Sequence, residues 1–303
     1  MKVFITGASG YIGSAVAAAF ARAGHEVRGL VRTPEKGVEL ARQEVEPVVG
    51  SLEDPASLVA GAADCQIVVH AAAEYSARMF DLDRAAVRTL TGFLAEAKLP
   101  RKFVYTSGVW IYGDTGFASV NEGTPVKPSP YVAKRAEVEA AVLSANTGPL
   151  KTLVLRPGCV YGGSGSLTAT WFESAEAGGA AKIVGDGANR WAMVHLADLA
   201  DAYLRAALSP YGGEVFNVTD RSRFTVRECA QAASRAAGKE GRVEVLPLAE
   251  ARTKMGQFAD CLALDQHVDS RKAATLLGWN PQAGGFVDGV ARYHGAWKNL
   301  RKA

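Results

Sequence analysis

The stretch "KVFITGASGYIG", residues 2–13, decides the fold of this chain. Its first five residues form a β-branched and aromatic run ended by glycine, the pattern of a strand buried in a parallel sheet. Glycines then stand at 7, 10 and 13, and residues 14–23, "SAVAAAFARA", are strong helix formers. In a strand–turn–helix unit of this kind each glycine has its own task. The first permits the tight turn, the second lets the backbone approach a pyrophosphate, and the third lets the helix pack closely on the strand. The start of the helix offers unpaired N–H groups and a partial positive charge to phosphates. A glycine triplet alone is a weak signal, but here it has the strand before it and the helix after it. Gly7, Ser9, Gly10, Tyr11, Ile12 and Gly13 are therefore expected to hold a dinucleotide.

Outward from this unit, apolar strand patterns recur at "HEVRGLVR" (25–32), "CQIVVHAAA" (65–73), "KFVYT" (102–106), "KTLVLRP" (151–157) and "EVFNVT" (214–219). Helical patterns alternate with them at "PASLVAGAA" (55–63), 84–97, about 131–145 and 198–208. Such alternation predicts βαβ units and an α/β Rossmann fold, a doubly wound parallel sheet covered on both faces. The alternation fades after Tyr161, where a glycine-rich stretch begins, and helices dominate from Arg221. This predicts a dinucleotide-binding domain over 1–160, with 191–220 returning to its sheet. A smaller, mostly helical C-terminal substrate lobe is expected from 161–190 and 221–303.

With 48% hydrophobic and 21% charged residues, the 303-residue chain has the composition of a soluble globular protein. Its net charge of +3 comes with no dense basic block, which argues against nucleic acid as a partner. Cys65, Cys159, Cys229 and Cys261 lack the short spacings of metal knuckles or redox pairs, the pattern of reduced thiols in a cytoplasm. No stretch approaches the roughly 20 apolar residues of a membrane span, and the opening apolar run is too short for a signal peptide. A cytoplasmic location away from membranes follows as an expectation. His70 and His195 sit in apolar strand contexts without ligands at metal spacing, so they read as structural histidines and no metal is expected. No G-x-S-x-G nucleophile turn is present.

The end of the second strand speaks to the choice of nucleotide. An acid there, about 20 residues past the glycines, binds the ribose 2′-hydroxyl of NAD. This chain has Leu30, Val31 and Arg32 instead. An arginine at that point is suited to a 2′-phosphate, which favours NADP(H) over NAD(H).

The TGxxGxxG spacing, "VVHAAA", "YTSGVWIYG", "SPYVAKRAEVE" at 129–139 and "RPGCVYG" follow one another in a familiar order. With "VGDGANRWAMVHLADLADAY" and the closing "LLGWNPQ", the chain resembles the extended short-chain dehydrogenases/reductases, the NAD(P)-dependent epimerase/dehydratase group, nearly end to end. The resemblance implies further cofactor contacts at Ser51, Leu52, Ala71, Ala72, Ala73, Pro157 and Val160. It also implies a small-molecule substrate above the carboxyl ends of the strands, and a homodimer through a four-helix contact. In that family the tyrosine of Y-x-x-x-K exchanges a proton with the substrate oxygen, which points to Tyr131. The lysine binds the nicotinamide ribose and lowers the tyrosine's pKa, and a serine or threonine hydrogen-bonds the same oxygen.

This chain departs from that pattern twice. Position i+4 from Tyr131 is Arg135, while the lysine is Lys134 at i+3; both lie on the tyrosine's face of a helix, so either cation is a candidate. The usual Ser/Thr position falls on Gly108, with Ser107 just before it. Relatives acting on nucleotide sugars carry Arg-Asp-Phe/Tyr before "VH", whereas this chain has Arg190, Trp191 and Ala192. Arg190 is a candidate for a substrate phosphate or carboxylate. Tyr75 and Trp110, with Met79, Phe80 and Trp171, are candidates for an apolar substrate wall. Three functions fit: NADPH-dependent reduction of a carbonyl compound, nucleotide-sugar epimerisation or dehydration, or NADP(H) binding without catalysis.

Overall fold

The computed structural model describes residues 1–164 and 167–301. Gly165 and Ser166, in the glycine-rich stretch assigned above to the substrate lobe, and residues 302–303 lie outside the described residues.

The first half alternates strictly. β1 (Lys2–Thr6), α1 (Tyr11–Arg22), β2 (Glu26–Val31), α2 (Pro34–Ala41), β3 (Val45–Val49) and α3 (Pro55–Ala62) come first. β4 (Ile67–His70), α4 (Met79–Ala95), β5 (Arg101–Thr106), a 3-10 turn (Val109–Tyr112), α5 (Ala133–Ser144) and β6 (Leu150–Pro157) follow. The second half is less regular. It runs β7 (Cys159–Tyr161), α6 (Ala169–Gly178), β8 (Ala181–Val184), β9 (Met193–His195), α7 (Leu196–Leu208) and β10 (Glu214–Val218). It closes with α8 (Val226–Ala236), β11 (Val243–Leu246), α9 (Leu248–Met255), α10 (Phe258–Leu262), α11 (Arg271–Leu277) and α12 (Phe286–Leu300).

Seven strands form one sheet in the order β10-β6-β5-β4-β1-β2-β3, and every pairing is parallel. This is the expected Rossmann-like α/β fold. Helices α1 and α7 cover one face, burying Val16, Phe20, Leu199 and Tyr203 against Val3 and Ile5. Helices α3, α4 and α5 cover the other, with Leu58, Leu90 and Val142 against Phe4 and Phe103. Strand order reverses between β1 and β4, so the loops leaving their carboxyl ends diverge and open a crevice there.

Two expectations are corrected. The sequence showed no strand between β2 and α3, but β3 is present at the sheet edge, so the strand near Cys65 is the fourth in the chain. Glu46, Pro47 and Val49 of β3 are exposed, which interrupts the apolar run that marks a buried strand, and an edge tolerates the proline. The helix expected to begin at Tyr131 begins at Ala133 instead. Tyr131 lies in a preceding turn closed by the Val132 N–H donating to the Ser129 carbonyl at 3.0 Å.

The C-terminal elements build their own core, in which Trp171, Phe172, Trp191, Phe286 and Trp297 pack together. The short parallel pair β8 and β11 lies among these helices. No helix of the described residues is long and apolar enough to cross a membrane.

One buried charge sits at the base of the sheet. Lys102, 8% exposed, donates to the Ser209 carbonyl just past α7 and has no acidic partner among the described residues. Burial, reinforced by Lys151, lowers its pKa to about 8. The folded-state value thus lies below the unfolded one. Below pH 8 both states are charged and the burial cost is fully present; it fades as pH rises from 8 towards 10.5. Lys102→Met is therefore expected to raise stability at pH 7 by about 1–3 kcal/mol. Thermal melts should show the gain shrinking as pH approaches 10.5; a gain independent of pH would contradict this account.

Candidate active site

The crevice at the strand reversal is a cleft of about 1340 Å³. Its floor is the glycine turn. Gly7 has φ +73°, a left-handed conformation natural only to glycine, and a Cβ there would sit 2.7 Å from the Ala72 backbone. The Gly7 carbonyl accepts the Gly10 N–H at 2.8 Å, which fixes the turn ahead of α1. The first turn of α1 faces the cleft, and no acidic side chain stands in it.

Of the expected cofactor residues, Gly7, Ser9, Gly10, Tyr11 and Ile12 line the cleft, as do Arg32, Ser51 and Leu52. So do Ala71, Ala72, Ala73, Pro157 and Val160. Gly13 stands behind them, pressed against Gly7. Arg32 lies exposed just past β2, and no ion pair to it is found among the described residues. This cradle, closed to a Cβ at Gly7 and carrying a free guanidinium at the β2 end, fits a dinucleotide.

The candidate side chains Ser107, Tyr131 and Arg135 all line this cleft. Ser107 is 7% exposed and lines the cleft, and its Oγ is buried without a hydrogen-bond partner among the described residues. Gly108 beside it is open: a Cβ there would meet nothing nearer than the Pro157 carbonyl at 3.9 Å. Tyr131 faces them from the turn before α5, its ring 5.5 Å from that of Phe258, which is itself 5.9 Å from Trp110. Burial, then the neighbouring Cys261 and Tyr75, push the Tyr131 phenol above its ordinary pKa, and Arg135 pulls the other way. The group is thus held protonated at neutral pH.

The structure separates the two cations. Arg135 lines the cleft, its side chain 18% exposed. Its Nη1 donates to the Thr106 carbonyl at 3.2 Å and the Tyr105 hydroxyl at 3.5 Å, and its guanidinium lies over the Phe80 ring at 5.4 Å. Lys134 is half exposed, stands 3.6 Å from Asp81, and is absent from the cleft wall. Both lie on α5, where adjacent positions point about 100° apart, so position 135 faces the cleft while 134 stands beside Asp81.

Arg190 also stands apart from the cleft. Its Nε and Nη2 grip the Asp265 carboxylate at 2.9 and 2.7 Å, and Phe117 covers it at 4.8 Å. Trp171 lies 2% exposed in the C-terminal core, stacked on Trp191 at 5.1 Å. Tyr75 stands 89% exposed at the cleft mouth, and Trp110, Met79 and Phe80 line its wall. Leu167 and Phe258 complete that wall. Sequence reasoning missed both, because they come from the irregular C-terminal segments where no periodicity marks a facing side.

His195 caps α7 through Nδ1, which accepts from the Ala197 N–H at 3.3 Å. His70 lies between Thr6, 2.8 Å from Nδ1, and Asp83, 3.0 Å from Nε2. Both histidines are satisfied within the fold.

A family model described as the NAD dependent epimerase/dehydratase family matches residues 3–219. Among characterised relatives, a Stigmatella aurantiaca protein is 30% identical over 260 residues, covering 83% of this chain and 78% of its own. It is named 4-hydroxy-2-methyl-3-oxo-4-farnesyl-3,4-dihydroquinoline-1-oxide ketoreductase. The UDP-glucose 4-epimerase of Mycolicibacterium smegmatis is 29% identical over 317 residues, covering 96% of this chain and 97% of its own. Among solved structures, human epimerase family protein SDR39U1 with NADPH superposes with a TM-score of 0.82 at 21% identity, covering 97% of this chain and 99% of that one.

Proposed function

As the chain belongs to the NAD dependent epimerase/dehydratase family, an NAD(P)-dependent enzyme family, we propose that it reduces a largely apolar carbonyl compound with NADPH. The nicotinamide supplies hydride to the carbonyl carbon when bound. Tyr131 holds the proton that the carbonyl oxygen takes, and its raised pKa keeps the phenol neutral and protonated until hydride arrives. Ser107, whose buried Oγ lacks a partner, donates a hydrogen bond to the same oxygen. Arg135, which lines the cleft, takes the place of the family's lysine. Trp110, Phe258, Met79 and Phe80 cover the substrate's apolar body and exclude water from the transfer. Arg32 takes the 2′-phosphate.

The observation that carries this proposal against nucleotide-sugar chemistry is Arg190. Its fork is already filled by Asp265, so the cleft wall beyond the glycine turn and Arg32 offers aromatic surface in place of a second phosphate grip. The relative named as a ketoreductase agrees with it. The relative named as a UDP-glucose 4-epimerase keeps the second function in view, and one experiment separates the two. NADPH oxidation followed at 340 nm is expected with a panel of aromatic ketones and aldehydes, and no isomerisation is expected with UDP-glucose. Arg32→Glu should reverse the preference from NADPH to NADH by about 100-fold, the worth of one charge-assisted contact exchanged for a repulsion. Epimerised sugar without net NADPH loss would establish the second function instead.

A further inference from the structure

Beneath Arg135 lies a buried set of polar groups that the proposed chemistry leaves unused. Asp83 of α4 is 4% exposed. Its Oδ2 accepts from the Tyr105 hydroxyl at 2.6 Å and stands 3.9 Å from Arg135 Nη1, while its Oδ1 lies 3.0 Å from His70 Nε2. An ionised carboxylate can only accept, so Nε2 donates to it, and in the neutral ring Nδ1 then accepts from the Thr6 hydroxyl. Burial pushes the Asp83 carboxyl up, but the hydrogen bond from His70 and the nearby Arg135 outweigh it and hold the group below its ordinary value. The acid is thus a fixed negative charge tied to β1, β4 and β5.

We propose that Asp83 is a positioning residue, anchored by His70 and Tyr105, which draws one end of the Arg135 fork inward and sets how the rest of the guanidinium meets Tyr131. This rests on the assignment of Tyr131 and Arg135 above.

The arrangement explains how an arginine serves where a lysine is usual. An ammonium is a compact charge that rotates freely to its partners, whereas a guanidinium is a rigid plane whose orientation must be imposed. Here Nη1 is committed to Thr106, Tyr105 and Asp83, the Phe80 ring flanks the plane, and Nε and Nη2 make no hydrogen bond to the described residues. The titratable groups that face Tyr131 are Cys261, Tyr75 and Arg135; those that face Arg135 are Tyr105, Asp83 and Tyr75.

The test reads Tyr131 ionisation directly, with no substrate. Ultraviolet pH titration of each protein, minus that of its Tyr131→Phe counterpart, isolates this one phenol. Asp83→Asn releases the inner end of the guanidinium, letting it turn towards Tyr131, and is expected to lower the Tyr131 transition by about one pH unit. In an Arg135→Lys background the same change should move it by less than about a third of that, since the lysine does not depend on Asp83. Should Asp83→Asn fail to fold, the pair Asp83→Leu with His70→Leu empties both ends of the buried network and is expected to give the same shift. Equal shifts in both backgrounds, or none with Arg135 present, would overturn the proposal. Loss of the parent assignment looks different: turnover on the ketone panel would survive Tyr131→Phe, whatever the absorbance titration gives.

Discussion

Tyr131→Phe is expected to lower kcat for the aromatic ketone panel by about 10²–10⁴-fold, the usual worth of a positioned proton donor, with NADPH affinity unchanged. The variant removes one oxygen and leaves the ring against Phe258 in place, so the apolar wall and the fold should persist. The other donors near the reacting oxygen do not compensate. Ser107 offers a hydrogen bond without a transferable proton at neutral pH, and Arg135 is a cation throughout the accessible range. Single-turnover mixing of NADPH-loaded enzyme with ketone measures the step itself. Native-like single-turnover rates would show that the proton comes from elsewhere, with Tyr75 at the cleft mouth as the phenol to test next. Gly108→Ser offers a converse check, since the space there is open. It would return a hydroxyl to the family's position.

What the sequence revealed and what it hid divide along physical lines. The strands buried on both faces announced themselves, because β1, β4, β5 and β6 bury almost every residue and so carry apolar, β-branched or aromatic centres. The edge strand β3 did not, because three of its five side chains face solvent. The glycine turn was legible because its geometry is local: one strand, three glycines and one helix fix it within a dozen residues. The far wall of the cleft was not legible, since Phe258 and Leu167 reach it from segments without periodicity. Nor did spacing decide between Lys134 and Arg135, as i+3 and i+4 share a helix face. The two residues ahead of α5 form a turn rather than helix, so helical spacing counted from Tyr131 does not apply, and it is Arg135 that lies over Phe80. The pairing of Asp83 with Arg135 spans 52 positions, and no local pattern signals it.

The remaining large effect concerns the floor of the cleft. Gly13→Ala is expected to weaken NADPH binding by about 100-fold and to lower the melting temperature as well. Gly13 lies in the first turn of α1, and a Cβ there would fall inside the van der Waals shell of the Gly7 carbonyl, a backbone group with nowhere to go. Gly7 in turn abuts the Ala72 backbone, so α1 must retreat from β1 or the turn must open. Either movement pulls the N–H groups at the start of α1 away from the diphosphate. Losing two charge-assisted hydrogen bonds at about 1.5 kcal/mol each amounts to about 3 kcal/mol, which is the ~100-fold. The control is Gly92→Ala on α4, where an added Cβ meets nothing within 4 Å. That change should raise stability by about 0.4–1 kcal/mol through the unfolded chain and leave NADPH binding alone. The contrast separates the two meanings of glycine in this protein: a helix residue that alanine improves, and a gap that the proposed dinucleotide site needs. If fluorescence titration shows Gly13→Ala binding NADPH as tightly as the native chain, the cofactor is held somewhere other than this turn, and the placement of Tyr131, Ser107 and Arg135 around it loses its reference point.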